Sequence, residues 1–235
     1  MAELAHSAGE IISYLQMCQA WSTSLQRGMN YRLRPDCSVI LMSRRPSAPY
    51  KDKIEDDGRV LIYEGHDIPR LTGSQDPKLI DQPRLTPGGK LTQNGQFADA
   101  AIKAKQGLSN PDVVAVYEKI RDGIWSFNGF FLLADAWTES DGQRQVFKFR
   151  LELSATGEGI RDSPGTDLLH NRLIPSAIKL EVWQRDKGRC VLCDSDKNLH
   201  YDHDLPYSKG GSSLLGSNIR LLCAKQNLSK GSKIV

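Results

Sequence analysis

At 235 residues the chain is long enough for one large domain or two modest ones, and 39% hydrophobic against 25% charged residues is an ordinary balance for a globular protein. Five cysteines, two of them isolated at Cys18 and Cys37, make no disulfide framework. No apolar run approaches the roughly 18 residues of a membrane span, and the N-terminus lacks a signal-peptide pattern, so a soluble, cytoplasmic protein with no membrane partner is expected. The net charge of +3 is uneven: residues 172–235 hold 11 Lys and Arg against 6 Asp and Glu, a surplus of +5 that leaves −2 for residues 1–171. General affinity for a polyanion is therefore expected in the last third.

In chain order, Ser7-Ala-Gly-Glu10 has the form of a capping box and predicts a helix to about residue 26, with Ile11, Leu15 and Cys18 on one face. Short strands fit 37–42, 60–63, 113–117 and 130–137, separated by Gly, Pro, Asp and Asn turns. The clearest periodicity is Gln145 to Leu153, where Phe147, Phe149, Leu151 and Leu153 alternate with Lys148, Arg150 and Glu152, as in a half-buried strand. Residues 154–167, rich in Gly, Ser, Thr and Asp, read as a linker. Beyond it Ser176 can cap a helix to about residue 187 that leads into a hairpin at Cys190.

The densest chemistry follows: Tyr201-Asp202-His203-Asp204, Gly210-Gly211, Asn218-Ile219-Arg220-Leu221-Leu222-Cys223 and Gln226-Asn227. A carboxylate suits a hard cation, which keeps several waters and takes one or two protein oxygens. An adjacent imidazole suits a general base. An Asp-His pair alone is commonly solvated surface; the spacing of the whole set is what singles it out. From about residue 176 to 233 the chain resembles the HNH (ββα-metal) endonucleases. The resemblance implies one Mg²⁺ or Mn²⁺ held by Asp202 and Asn227, His203 as the base, and Asn218 pinning the intervening loop.

Many HNH domains also hold a structural zinc with two Cys-x-x-Cys knuckles. Here Cys190-Val-Leu-Cys193 is intact, but the second knuckle reads Cys223-Ala-Lys-Gln226, so the fourth thiolate is missing. The sequence therefore disfavours zinc at Cys190, Cys193 and Cys223. His200, the alternative fourth ligand, shares a strand face with Asp202 by the period of two.

Upstream, Ser38-Val-Ile-Leu-Met-Ser43, Ala48-Pro-Tyr50-Lys-Asp52, Asp57-Gly58, Tyr63-Glu-Gly65, Asp81-Gln82, Thr92 to Asn94 and Trp125-Ser-Phe-Asn-Gly-Phe130 occur in an order that resembles the SRA (YDG) domain. That domain is a β-barrel that flips 5-methylcytosine out of duplex DNA. Its Tyr-Asp-Gly appears here as Phe127-Asn128-Gly129. A flipped base needs aromatic faces to replace its stacking and polar readers for its edge, and a carboxylate can accept from the cytosine N4 amine. The resemblance places Tyr50 and Tyr63 as walls and Asp52 as reader. Asp67 is a rival reader, and His66 a candidate phosphate contact.

Together these features predict an α+β chain: a helical segment at 1–27, an SRA-like β-barrel at 28–153, a linker at 154–172 and an HNH nuclease at 173–235. The expected protein is a bacterial modification-dependent restriction endonuclease that acts as a homodimer on double-stranded DNA carrying modified cytosine. The alternatives are a catalytically silent modified-DNA binding protein and an HNH nuclease whose barrel reads unmodified nucleic acid.

Overall fold

The β-branched and aromatic residues of 11–153 assemble one eight-stranded sheet in the structure, a computed structural model describing residues 6–35, 37–46, 48–70, 75–154, 173–205 and 211–230. With strands numbered along the chain, the order is β2 (Met29–Arg34), β3 (Cys37–Met42), β6 (Val113–Arg121), β7 (Ile124–Ser140), β8 (Gln145–Leu153), β5 (Val60–Glu64) and β4 (Lys53–Glu55). A further strand, β1 (Ile11–Ser13), pairs with β7 off this path. The β3–β6 pair is parallel, and all other pairs are antiparallel. A parallel pair requires a crossover, and helix α2 (Gln93–Lys105), capped by the Thr92 side chain, lies within it.

Among the described residues the end strands β2 and β4 do not pair with each other, so the expected closed barrel is instead an open sheet. Register shifts at Val116/Tyr117, Lys119/Arg121 and Leu133/Asp135 interrupt the ladders of the 17-residue β7. Such bulges bend a strand and strengthen its twist, which curves the sheet without sealing it.

Each face of the sheet is covered. On one, Phe97 and Ala101 of α2 pack with Leu61, Val116, Phe131 and Phe149. On the other, Met17 and Trp21 of α1 (Tyr14–Trp21) pack with Ile12, Val39, Tyr117 and Phe127. The long N-terminal helix is corrected here. Ser7 and Glu10 form a turn, but the β-branched Ile11 and Ile12 pair with β7, and the helix starts one motif later under a capping box of Ser13 and Gln16.

A separate core lies in the C-terminal part, where α3 (Ser176–Arg185) packs on an antiparallel hairpin of β9 (Leu199–His203) and β10 (Ile219–Cys223), followed by α4 (Ala224–Lys230). Val182, Leu199, Tyr201, Ile219 and Leu221 fill it. Pro175, not Ser176, is the residue before the first turn of α3. The predicted linker lies outside the described residues apart from Ser154. No helix among the described residues is long and apolar enough to cross a membrane.

Candidate functional site

A cavity of about 540 Å³ opens at one end of the large sheet, within the ~300–1,000 Å³ range of small-ligand sites. Tyr50, Asp52 and Tyr63 line it together with Gly28, Lys119 and Trp125. Strand β5 places Tyr63, which is 2% exposed. Tyr63 presses on Gly28: a Cβ added there would lie 2.6 Å from the Tyr63 hydroxyl oxygen, so residue 28 must lack a side chain if Tyr63 keeps this position.

Two backbone amides hold the Asp52 carboxylate, Glu64 N–H donating to Oδ1 at 3.1 Å and Ser43 N–H to Oδ2 at 3.2 Å. Burial pushes its pKa up to about 7; the two amides and Lys148 oppose the shift, and the Glu64 charge adds to it. The result is an oriented hydrogen-bonding carboxyl that changes protonation near neutrality. The Tyr50 hydroxyl accepts from Asp67 N–H at 3.4 Å, and the Lys78 ammonium sits 4.1 Å from the centre of its ring.

Asp67 points elsewhere. It pairs with the buried Arg144 at 2.7 Å and Lys78 at 3.0 Å and accepts from Gln82 at 3.1 Å, which makes it part of the charge network that supports the loop after β5. His66 is clamped through its backbone by the Asn94 side chain at 3.0 and 2.8 Å, and burial lowers its pKa. Neither residue lines the cavity. Trp125 forms part of its wall, whereas Trp137 lies on the surface, 36% exposed.

The second group of residues gathers at the β9–β10 hairpin. Asp202 faces Arg220 across the ladder, and His203 faces Ile219. His203 Nε2 lies 2.8 Å from Ser213 Oγ, and burial lowers its pKa, with Asp202 opposing and Lys230 adding. Asn218 ties the loop: its Oδ1 accepts from Leu205 N–H at 2.8 Å, and its Nδ2 donates to the carbonyls of Leu205 and Ser212, each at 3.1 Å. Gly211 packs so closely on the Leu205 carbonyl that a Cβ there would overlap it. The Pro206 to Gly210 stretch of the motif lies outside the described residues.

Sequence reasoning passed over Lys230. Its ammonium, buried at 4% residue exposure, donates to Asp202 Oδ2 at 2.5 Å and to the His203 carbonyl oxygen. Two oxygens therefore already converge on a positive charge, the donor chemistry that a hard divalent cation needs. Asn227 lies three residues before Lys230 on α4, on the same helical face. That spacing was the available signal. Arg220 adds a second cation, 3.6 Å from Asp202 and 3.0 Å from Asp204.

The thiols of Cys190, Cys193 and Cys223 have their sulfurs within 4.8 Å of one another. They fit three corners of a tetrahedral soft-metal site, and Gln226 holds the sequence place of the fourth. His200 is drawn away: its ring nitrogen lies 3.5 Å from Ser7 Oγ, and it forms an isolated bridge with Glu10.

No family model and no curated protein matches the chain. Among solved structures, it is similar to the SUVH5 SRA domain in complex with methylated CHH DNA, at 20% identity and a TM-score of 0.46 over 66% of this chain and 93% of that one. It is also similar to the DNA modification-dependent restriction endonuclease AspBHI, at 17% identity and a TM-score of 0.44 over 67% and 79%. A third, Arabidopsis thaliana SUVH6 in complex with SAM, has 20% identity and a TM-score of 0.42 over 74% and 28%.

Proposed function

We propose that the protein is a modification-dependent DNA endonuclease. The observation that carries this reading is the cavity itself, in which a buried, amide-oriented carboxyl and two tyrosines lie together in a space large enough for a flipped nucleoside. Tyr50 and Tyr63 replace the stacking that a modified cytosine loses, and charged Asp52 accepts from its N4 amine. The hairpin supplies the cutting chemistry. Asp202 and Asn227 would hold a divalent cation once Lys230 yields the carboxylate, and the cation supplies charge stabilisation at the departing 3′ oxygen. His203 removes a proton from water for in-line attack on phosphorus, with Ser213 and Asn218 fixing its surroundings. One hairpin cuts one strand, so a double-strand break requires two copies, and we assign a two-fold homodimer.

The test is digestion of plasmids carrying cytosine, 5-methylcytosine or 5-hydroxymethylcytosine with Mg²⁺ or Mn²⁺. Modified DNA is expected to be cut and His203→Ala to be inert. Equal cutting of all three plasmids removes the reader; no metal-dependent cutting removes the nuclease. The occupation of Asp202 by Lys230 favours a second reading, a modified-DNA binding protein that does not cut, and that last outcome would select it.

A further inference from the structure

The two candidate sites are joined by a buried ionic cluster. Lys179 of α3 reaches out of the C-terminal core into the large sheet, where its ammonium donates to Glu118 Oε2 on β6 at 2.7 Å and to Asn128 Oδ1 on β7 at 2.6 Å. Asn128 Nδ2 donates in turn to Glu118 Oε2 at 3.2 Å. Lys179, Glu118 and Asn128 are 2%, 0% and 3% exposed. Burial alone would raise the Glu118 pKa, but the Lys179 charge together with hydrogen bonds from Lys179, Ser176 and Asn128 holds the carboxyl below its ordinary value. A buried charge left without its partner is strongly destabilising, so each half of the protein depends on the other for this pair.

The sheet is shaped to meet Lys179. Val116 pairs with Gly129 and Tyr117 with Phe127, which leaves Asn128 as the extra residue of a bulge and turns its side chain toward Glu118. An amide at this position can donate to Glu118 and accept from Lys179 together, whereas a carboxylate would set a like charge against Glu118.

Both sides of the cluster lead directly to the sites. Glu118 precedes Lys119, and Asn128 lies three residues after Trp125, both of which line the cavity. On the other side the Lys179 carbonyl accepts from the Tyr201 hydroxyl at 2.9 Å, and Tyr201 precedes Asp202 and His203. The segment leading into β1 adds a second tie. Gly9 N–H donates to the Phe127 carbonyl at 2.8 Å, and Gly9 O accepts from Tyr201 N–H at 3.0 Å. Ile12 packs in the sheet core and Ile11 against the hairpin core, on opposite faces as alternation requires.

We infer that Lys179 is a positioning residue that sets where DNA is cut relative to the modified base. This rests on the proposed endonuclease reading and extends it to cleavage distance. Successive phosphates on one strand are about 3.4 Å apart along the helix axis. A close-packed interface resists displacements of that size, so the docked hairpin addresses one phosphate rather than a range.

The experiment uses the full chain and a duplex with one modified cytosine, and maps the ends by sequencing. The unaltered protein is expected to cut at one dominant distance. Lys179→Ala strands the Glu118 charge and is expected to bind the modified duplex within about twofold of the parent, because the cavity residues are untouched, while its cuts spread over neighbouring phosphates. The combined change Lys179→Met, Glu118→Leu and Asn128→Leu replaces the whole polar cluster by apolar packing and is expected to restore the single distance. Lys179→Ala cutting at the parental distance overturns the inference, as does a parent that cuts modified DNA at scattered distances; either leaves the endonuclease reading intact. If no protein cuts, that reading falls. An iron–EDTA chelate tethered at the exposed Cys193 of His203→Ala then maps the hairpin on DNA. A narrow pattern that broadens with Lys179→Ala supports the positioning role, and an unchanged pattern overturns it.

Discussion

The ammonium of Lys230 donates to the carboxylate of Asp202 across 2.5 Å, so the group proposed to hold a divalent cation is held here by a cation of the chain itself. A metal ion must displace the ammonium. Lys230→Met is therefore expected to tighten Mn²⁺ binding by about tenfold, or about 1.4 kcal/mol. Titration of the protein with Mn²⁺ checks this, and unchanged or weaker binding contradicts it.

Asp52 predicts a pH dependence. Its folded pKa of about 7 lies above the ordinary value of 3.8, so the fold favours the neutral carboxyl. The stability it contributes is fully present below about pH 4 and is lost as pH rises toward 7. On the proposed function, recognition runs the other way, because a cytosine amine needs the charged acceptor. Affinity for a modified duplex is expected to rise about tenfold between pH 6 and pH 8, measured by fluorescence anisotropy at fixed salt. Asp52→Asn should bind more weakly with a flat profile; a slope that persists in this variant would assign the dependence to another group.

Gly28 and Tyr63 should behave as one unit. Gly28→Ala brings a methyl group to 2.6 Å from the Tyr63 hydroxyl and forces the ring to move. The expected result is loss of the preference for modified over plain duplex, with salt-dependent binding to both retained. Gly28→Ala with Tyr63→Phe removes the clashing oxygen and should recover part of the preference. Failure to recover any would mean that the methyl group disturbs something other than Tyr63.

The three gathered thiols predict weak zinc retention. With Gln226 in the sequence place of the fourth ligand, dialysis against a chelator is expected to leave well under one zinc per chain. Gln226→Cys completes the thiolate set, and should retain one equivalent and raise the melting temperature by several degrees. A full chelator-resistant equivalent in the unaltered protein would contradict this.

Local placement was legible in the sequence where it is read from neighbours. Asp202, His203 and Asn218 gather at one hairpin because strand pairing and a short loop bring them together, and Tyr50, Asp52 and Tyr63 line one cavity because β4 and β5 are adjacent. What escaped depends on distant partners. Lys230 meets Asp202 only across 28 residues, and Lys179 meets Glu118 only across 61, so no local pattern marks either lysine. The N-terminal capping box misled because Ser7 and Glu10 satisfy each other in an isolated turn as well as at a helix start. Helix α2 was missed because its apolar positions are mostly alanine, which gives weak periodicity.

Strand β1 bears on the order in which the molecule assembles. Its partner on the sheet, residues 124–126, is synthesised well before residues 199–203. During synthesis β1 can therefore join the sheet early, leaving the Gly9 carbonyl waiting for Tyr201. The hairpin that carries Asp202 and His203 would be assembled against a surface already complete, so the C-terminal core acquires its place only after the large sheet has its shape.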